Sequence, residues 1–540
     1  MSVSKRGSIL FMQAILFVCF VLPGGTVQAK DLRRISAVVL PPYSPEGGAA
    51  QRLAWGMADR AGAELMGTGN YNHFHLKQVL SMARSHDMAA EALGKPAQAL
   101  RAVRILGADS GVFGSLNRLK DGRWRLVFTA FEAGSSRKHN GRADLPADTA
   151  KAVEAGGHVL AGALRKLQHV EQVGEQVAHP HSDSAPAMDA YLSCYAVLVE
   201  QPMGLRKSHI IEPKRLRQAR SDCMKAVELD PKFHAAWAAL SIANALSFEN
   251  EEALRALKQA QGAKGYLPLE PIAHYWMSTR FKSSAEGAQV LEKAADKHPG
   301  ALILLTYLGE HLNISRRYSK ALLVWERYLG HVKTSAYALA QKGYSLARLG
   351  KLDESIAVSR QAYEMDTKCL DLKLELASRL VDAKKLGEAE SMLLPMSKEP
   401  DAFGEILLRL GYVYLLKKQD AKAEPLFKQA LAMAKGPNEW RTRGRARYDL
   451  AIVMVRRNRP VQAEQHLLDA AAEGFLVKRA LADNDDLKVL AKRPRVAKLF
   501  KQTKLKRNPL LLMSSPFPID FAGEPRPDGD RPAPITGVRF

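Results

Sequence analysis

Apolar and polar residues alternate along this chain in two different rhythms, and the change between them falls near residue 170. The first rhythm mixes short apolar runs, strict alternation and helical spacing, the pattern of a small α/β unit. Arg34 to Leu40 is a compact apolar run stopped by Pro41 and Pro42, which predicts a strand. Leu53, Ala54, Met57 and Ala61 recur at helical spacing and predict a helix over 49–62. Glu64 to Tyr71 reads as a second strand, and 76–91 and 96–105 as two short helices joined at Gly94 and Pro96. Leu106 to Asn117 leads into another strand, and Lys120–Arg123 makes a hairpin turn. From Trp124 to Glu132 the alternation places Trp124, Leu126, Phe128 and Ala130 on one face. Asp148 caps a last helix that ends near Leu167.

The second rhythm is a spacing of 34 residues, on which Gly309, Gly343, Ala377 and Gly411 fall in succession. Trp325, Leu393 and Phe427 occupy another place of the same period. Such self-similarity predicts a stack of helical hairpins, each burying its apolar face against the next. The small residues sit where the two helices of a hairpin approach closely, and the large ones fill the gap to the following hairpin as core. Repeats start at 200, 234, 268, 302, 336, 370 and 404, and at 444 after a six-residue slip at Lys435–Asn438. The segment 201–213 interrupts the first repeat and is expected to loop out.

Small residues at three fixed places and a large apolar residue at a fourth resemble the tetratricopeptide repeat over roughly half the chain. The resemblance implies an α-solenoid whose first helices line an inner, partner-binding side. Carried over residue by residue, it marks Trp276, Arg280, Glu310, Asn313, Tyr344, Arg348, Asp382 and Tyr412 as partner-binding. Aromatic residues and arginines are the usual anchors of such surfaces. No lysine and asparagine run crosses successive repeats, so a clamp for a terminal carboxylate is not indicated. In the first unit, the order strand, helix, strand, the LGAD tract at 106–109 and the DGRWRLVFTAFEAG hairpin are similar to the amino-terminal domain of TolB and to CsgG-like and FlgO-like domains. That likeness implies a partner-binding or assembly module of the bacterial envelope rather than an enzyme.

The amino terminus changes the setting. Lys5 and Arg6 precede an apolar run from Ile9 to Leu22, and Val27-Gln28-Ala29 offers a cleavage site, so 1–29 reads as a secretory signal peptide. The organisation expected is then an α/β domain over 30–168, a His/Ser/Pro-rich linker over 169–187, the repeat array over 188–475, a helical cap over 476–505 and a Pro-rich tail over 506–540. The linker suggests two modules with separate surfaces. The net charge of +23 suits an anionic glycan or membrane surface. Export and the absence of a dense arginine helix argue against nucleic acid. Cys194 and Cys223 fall on the two helices of the first hairpin, where a disulfide and two buried thiols both fit. No G-x-S-x-G, HExxH or CxxC is present, and residues 62–69 lack nucleotide-loop spacing. His73, His75 and His86 lack a carboxylate or cysteine at ligand spacing and read as surface residues. The expectation is a periplasmic, non-enzymatic scaffold without cofactor or metal that binds protein components of an envelope complex; the alternative is a binder of cell-wall or anionic polysaccharide.

Overall fold

The computed structural model describes residues 34–170, 182–200, 212–262, 269–332, 334–399, 404–435, 439–473 and 484–501. The segments expected as signal peptide and tail, most of the expected linker, the insertion after Glu200 and the Gly-Pro-Asn slip lie outside the described residues.

The first unit is a five-stranded sheet in the order β2-β1-β3-β4-β5. β1 (Ile35–Val39) runs parallel to β2 (Tyr71–His73) and to β3 (Ser110–Arg118). β4 (Trp124–Glu132) and β5 (Lys138–Leu145) complete an antiparallel meander. The long helices α1 (Gly48–Gly67) and α4 (Thr149–Gln168) pack on each other and on the sheet. The alternation of β4 holds: Trp124, Leu126, Phe128 and Ala130 are buried. Asp148 caps α4 by accepting a hydrogen bond from the Lys151 amide.

This unit differs from the sequence expectation at several places. The segment from Glu64 is not a strand: α1 continues to Gly67, held by Leu65 in the core, and β2 begins only at Tyr71. β5 was not legible, because it is an edge strand whose KHNGRADL sequence is almost wholly polar. His73, His75 and His86 are buried rather than on the surface. α2 (Leu76–Ser85) is also shorter than expected; it is followed by a 3-10 turn at Ala90–Gly94 and by α3 (Pro96–Leu106).

The described residues then form eight helical hairpins. They are α5 (Ala185–Val199) with α6 (Pro213–Leu229), α7 (His234–Leu246) with α8 (Asn250–Ala260), and α9 (Leu269–Phe281) with α10 (Ser284–Lys297). Next come α11 (Leu302–Ile314) with α12 (Tyr318–His331) and α13 (Ala336–Arg348) with α14 (Leu352–Met365). α15 (Leu370–Asp382) with α16 (Leu386–Met396), α17 (Gly404–Leu416) with α18 (Asp420–Met433) and α19 (Trp440–Arg456) with α20 (Pro460–Ala472) complete the array. The small residues act as expected. A Cβ on Gly309 would lie 2.4 Å from the Trp325 ring, and one on Gly411 would lie 2.7 Å from Phe427. Cys194 and Cys223 form a disulfide across the first hairpin, with Cα atoms 5.4 Å apart. Leu487, Leu490 and Val496 of the closing segment are buried against the last hairpins.

The two units do not keep separate surfaces. One continuous apolar core runs from Ala37 of β1 to Leu372 of α15. Polar contacts add to it. The β2 edge of the sheet meets the array, where the His73 amide donates to Gly300 O at 2.9 Å. Ser36 Oγ and Asn72 Nδ2 both donate to the His331 carbonyl, at 2.7 and 2.9 Å. Tyr195 of α5 donates to Asp59 of α1 at 2.6 Å, and His75 Nε2 lies 3.3 Å from the same carboxylate. Asp366, just past α14, takes His86 Nδ1 at 2.7 Å and Arg101 at 2.5 Å. The separate-module expectation fails because the inward side chains of α1–α3 find their partners on the array.

Candidate partner-binding groove

The inner helices of the array split into two stretches with different surroundings. Along α9–α13 the inner positions are engaged within the protein. Gln78 of α2 donates to Thr306 at 2.9 Å, and Lys77 Nζ sits 5.6 Å from the centre of the Tyr307 ring. Glu310 accepts a hydrogen bond from the Tyr337 hydroxyl. Burial pushes the Glu310 carboxyl up to about 7, against the opposing pull of Tyr337 and Lys77. Asn313 donates to Gln341 at 3.1 Å and accepts from Ser345 at 2.8 Å. Trp276 stands edge-on to Tyr275 on α9, and Arg280 is on the same helix. Glu310 and Asn313 are therefore engaged within the protein, and the Arg280 side chain lies outside the described residues.

Along α15, α17 and α19 the inner face carries stacked rings and arginines. The Arg379 guanidinium lies over Tyr344 at 5.4 Å and bonds Glu375 and Asp382 at 3.0 and 2.9 Å. Arg348 lies 5.5 Å over Tyr318. Arg445 covers the Tyr412 ring at 4.6 Å and donates to Asp449 at 2.8 Å. Such cation–ring pairs gain strength where water is excluded. Tyr344, Asp382 and Tyr412 thus share one arrangement with Glu375, Arg379, Glu405, Arg409, Arg445 and Asp449, which the sequence reading did not single out. A signal for some of them existed. Asp371 and Glu405 stand one period apart, as do Glu375 and Arg409, and each interrupts an apolar helix with a charge.

Ala377, Ser378, Val381, Leu393, Leu408, Arg409, Tyr412, Arg445 and Asp449 line a small cavity here, about 20 Å³, open to solvent on one side. Arg409 is 7% exposed and Asp449 is fully buried. Arg409 Nε approaches Glu405 to 2.9 Å, at an angle too poor for a hydrogen bond, and Nη1 and Nη2 have no hydrogen-bond partner. Asp449 Oδ2 is held by Arg445, whereas Oδ1 has no partner. Burial raises the Asp449 carboxyl above its ordinary range, with Arg445 opposing the shift. Buried donors and acceptors left unmade cost about 1–3 kcal/mol each, so a site holding both kinds is primed for a ligand or a water. Among the described residues, no group of three His, Cys, Asp or Glu side chains is placed to hold a metal ion, and no helix is long and apolar enough to cross a membrane.

Residues 336–369 and 404–436, the α13–α14 and α17–α18 hairpins, match the tetratricopeptide-repeat model. These two hairpins are thus similar to the tetratricopeptide repeat, and the fold is an α/β unit ahead of a tetratricopeptide-repeat-like α-solenoid. Solved structures similar to it include a tetratricopeptide repeat protein from Parabacteroides merdae, at 14% identity over 49% of this chain and 99% of that one, TM-score 0.37. A thermophilic tetratricopeptide-repeat protein of Thermus thermophilus matches at 22% identity over 37% of this chain and 100% of that one, TM-score 0.30. Yeast Tom70 matches at 13% identity over 61% of this chain and 71% of its own, TM-score 0.38. No curated protein sequence matches the chain. Repeat arrays of this kind are generally protein-interaction scaffolds and typically non-catalytic.

Proposed function

We propose that this chain is an exported, non-enzymatic scaffold of a multi-protein bacterial envelope assembly, with a protein partner held on the inner face of α15–α19. The observation that carries the reading is the contrast between the two stretches of inner face. The chain's own α/β unit engages the first, while the second presents aromatic rings, arginines and buried polar atoms without partners. The α/β unit, akin to the amino-terminal domain of TolB, joins the array to the rest of the assembly. A periplasmic location is supported by the basic, apolar and small-residue order of residues 5–29 and by the Cys194–Cys223 disulfide, which suits an oxidising compartment.

The test is crosslinking of the full chain in its own envelope, followed by recovery of what is attached. The expected product is another envelope protein, and Tyr412→Ala weakens its binding by roughly 2 kcal/mol, as loss of an aromatic anchor does. An unchanged set of crosslinked proteins in that variant overturns the groove. The net charge, +23 for the whole chain and +21 once Lys5 and Arg6 are removed (23 minus 2), supports a second reading, in which an anionic glycan is the partner. Binding of that kind falls steeply with salt, because exposed charges are screened within about 8 Å at physiological ionic strength. A partner seated in the groove is far less salt-sensitive.

A further inference from the structure

The cavity between α15, α17 and α19 specifies more than a place for a partner. Its polar atoms are of two kinds. Arg409 Nη1 and Nη2 are donors without a partner, and Asp449 Oδ1 is an acceptor without a partner. Both side chains are more than nine-tenths buried, and both line the same opening. The rest of the wall is apolar or aromatic: Ala377, Val381, Leu393, Leu408 and the Tyr412 ring.

Charged, apolar and amide side chains can be compared against this set, and a hydroxyl, which also donates and accepts, concentrates both roles on one atom. A carboxylate offers acceptors to Arg409 but no donor to Asp449, and it approaches carboxylates at Glu405 and Asp449. Lysine or arginine satisfies Asp449 but faces the guanidinium groups of Arg409 and Arg445. A purely apolar side chain leaves all three atoms unmade. A carboxamide carries one acceptor oxygen and one donor nitrogen in a single plane, and it is uncharged. We propose that this cavity receives the side-chain amide of an asparagine or glutamine from a partner polypeptide. Its oxygen accepts from Arg409 Nη1 and Nη2, its nitrogen donates to Asp449 Oδ1, and its methylene carbons lie against Tyr412. The enclosed volume is small, about 20 Å³, so only the polar end of the side chain is placed inside it. The inference rests on the reading that the inner face of α15–α19 holds a partner.

The full chain after removal of residues 1–29 is used to select binders from a library of random 12-residue peptides displayed on phage. The expected result is a family of peptides that share asparagine or glutamine at one position and lose binding to the Tyr412→Ala variant. On the unaltered protein, changing that residue to glutamate, lysine or leucine in a synthetic copy of the peptide weakens binding about tenfold or more. This comparison needs no protein variant, so misfolding cannot account for it. Ser378→Leu, which fills the cavity without touching a charge, causes a similar loss while the thermal unfolding midpoint stays within a few degrees. If the selected peptides depend on Tyr412 but share an acidic, basic, hydroxyl or apolar residue instead, the amide assignment is overturned and the groove stands. If no peptide is enriched, or binding is indifferent to Tyr412→Ala, the cavity is a water site only. The amide assignment then falls, while crosslinking in the envelope still decides the scaffold reading on its own.

Discussion

Single residues set the fit of each hairpin. Trp325 is fully buried, and its ring fills the space that Gly309 leaves by having no side chain. Trp325→Ala is expected to lower the unfolding free energy by about 3–5 kcal/mol through the cavity it opens. Gly309→Leu costs about 1–3 kcal/mol for the opposite reason, overpacking. Urea titrations of the two variants and the parent check both. Buried histidines set a pH limit. Burial, and then the field of His75, lowers His73 to about 3; burial lowers His311 to about 4. Both are neutral in the folded protein where the unfolded chain, at about 6.5, already takes up protons. Stability is therefore fully present above pH 6.5 and falls progressively as the pH drops toward 4. Each group contributes at most about 1.4 kcal/mol per pH unit. His311→Gln, compared with the parent at pH 7 and pH 5, is expected to show a smaller drop between the two; an unchanged drop refutes this role.

At the scale of elements, the turn inside six of the described hairpins repeats one backbone device. Phe248, Arg316, Gly350, Lys384, Lys418 and Asn458 all have a left-handed backbone, with φ between 56° and 82°. They follow the inner helices α7, α11, α13, α15, α17 and α19 and reverse the chain so that the second helix folds back. Only Gly350 fills this place with the residue that adopts it at no steric cost, so only there was the turn legible in the sequence. Asn458 also tolerates it, whereas Phe248, Arg316, Lys384 and Lys418 show tertiary packing overriding local preference. Lys384→Gly and Lys418→Gly are each expected to stabilise the protein by about 0.5–1 kcal/mol, the relief of a left-handed backbone less the entropy that glycine adds to the unfolded chain. Gly350→Ala moves stability the other way. Denaturant midpoints of the three variants separate these outcomes, and a loss of stability in both lysine variants counts against the account.

At the scale of the molecule, the α/β unit and the array fold as partners. Asp366 shows the coupling. Burial alone pushes its carboxyl up, but the hydrogen bonds from His86 and Arg101 outweigh that and hold it down at about 2. The stabilisation is present above the ordinary aspartate value near 4 and is lost as the pH falls toward 2. Asp366→Asn leaves His86 and Arg101 facing a neutral group. It is expected to cost about 3 kcal/mol, the lower range for breaking a buried pair. The loss should appear as faster amide exchange in α2 and α3 as well as in α14. Faster exchange confined to α14 means that the units do not stabilise each other.

Periodicity by itself determined the elements and their order: the spacing of 34 residues, the small residues at the close approaches, the large ones in the gaps, and the alternation of β4. These were legible because each is a local pattern, imposed by burying one face of one element. β5 escaped because the face it turns inward carries His139, Gly141 and Ala143, which show no apolar alternation, and the end of α1 escaped because a short helical overrun and a strand of that length look alike. The candidate groove was legible only in part. Tyr344, Asp382 and Tyr412 lie on it, but Glu310 and Asn313, marked by the same repeat positions, are engaged within the protein beside α2. Equivalent positions in a repeat see different surroundings once another unit docks on some of them. That docking depends on contacts between residues more than 200 apart, such as Gln78 with Thr306 and His86 with Asp366. No local pattern encodes such contacts. They arise when the stacked helices bring distant side chains to the same place, and only the tertiary structure decided which inner positions remained for a partner.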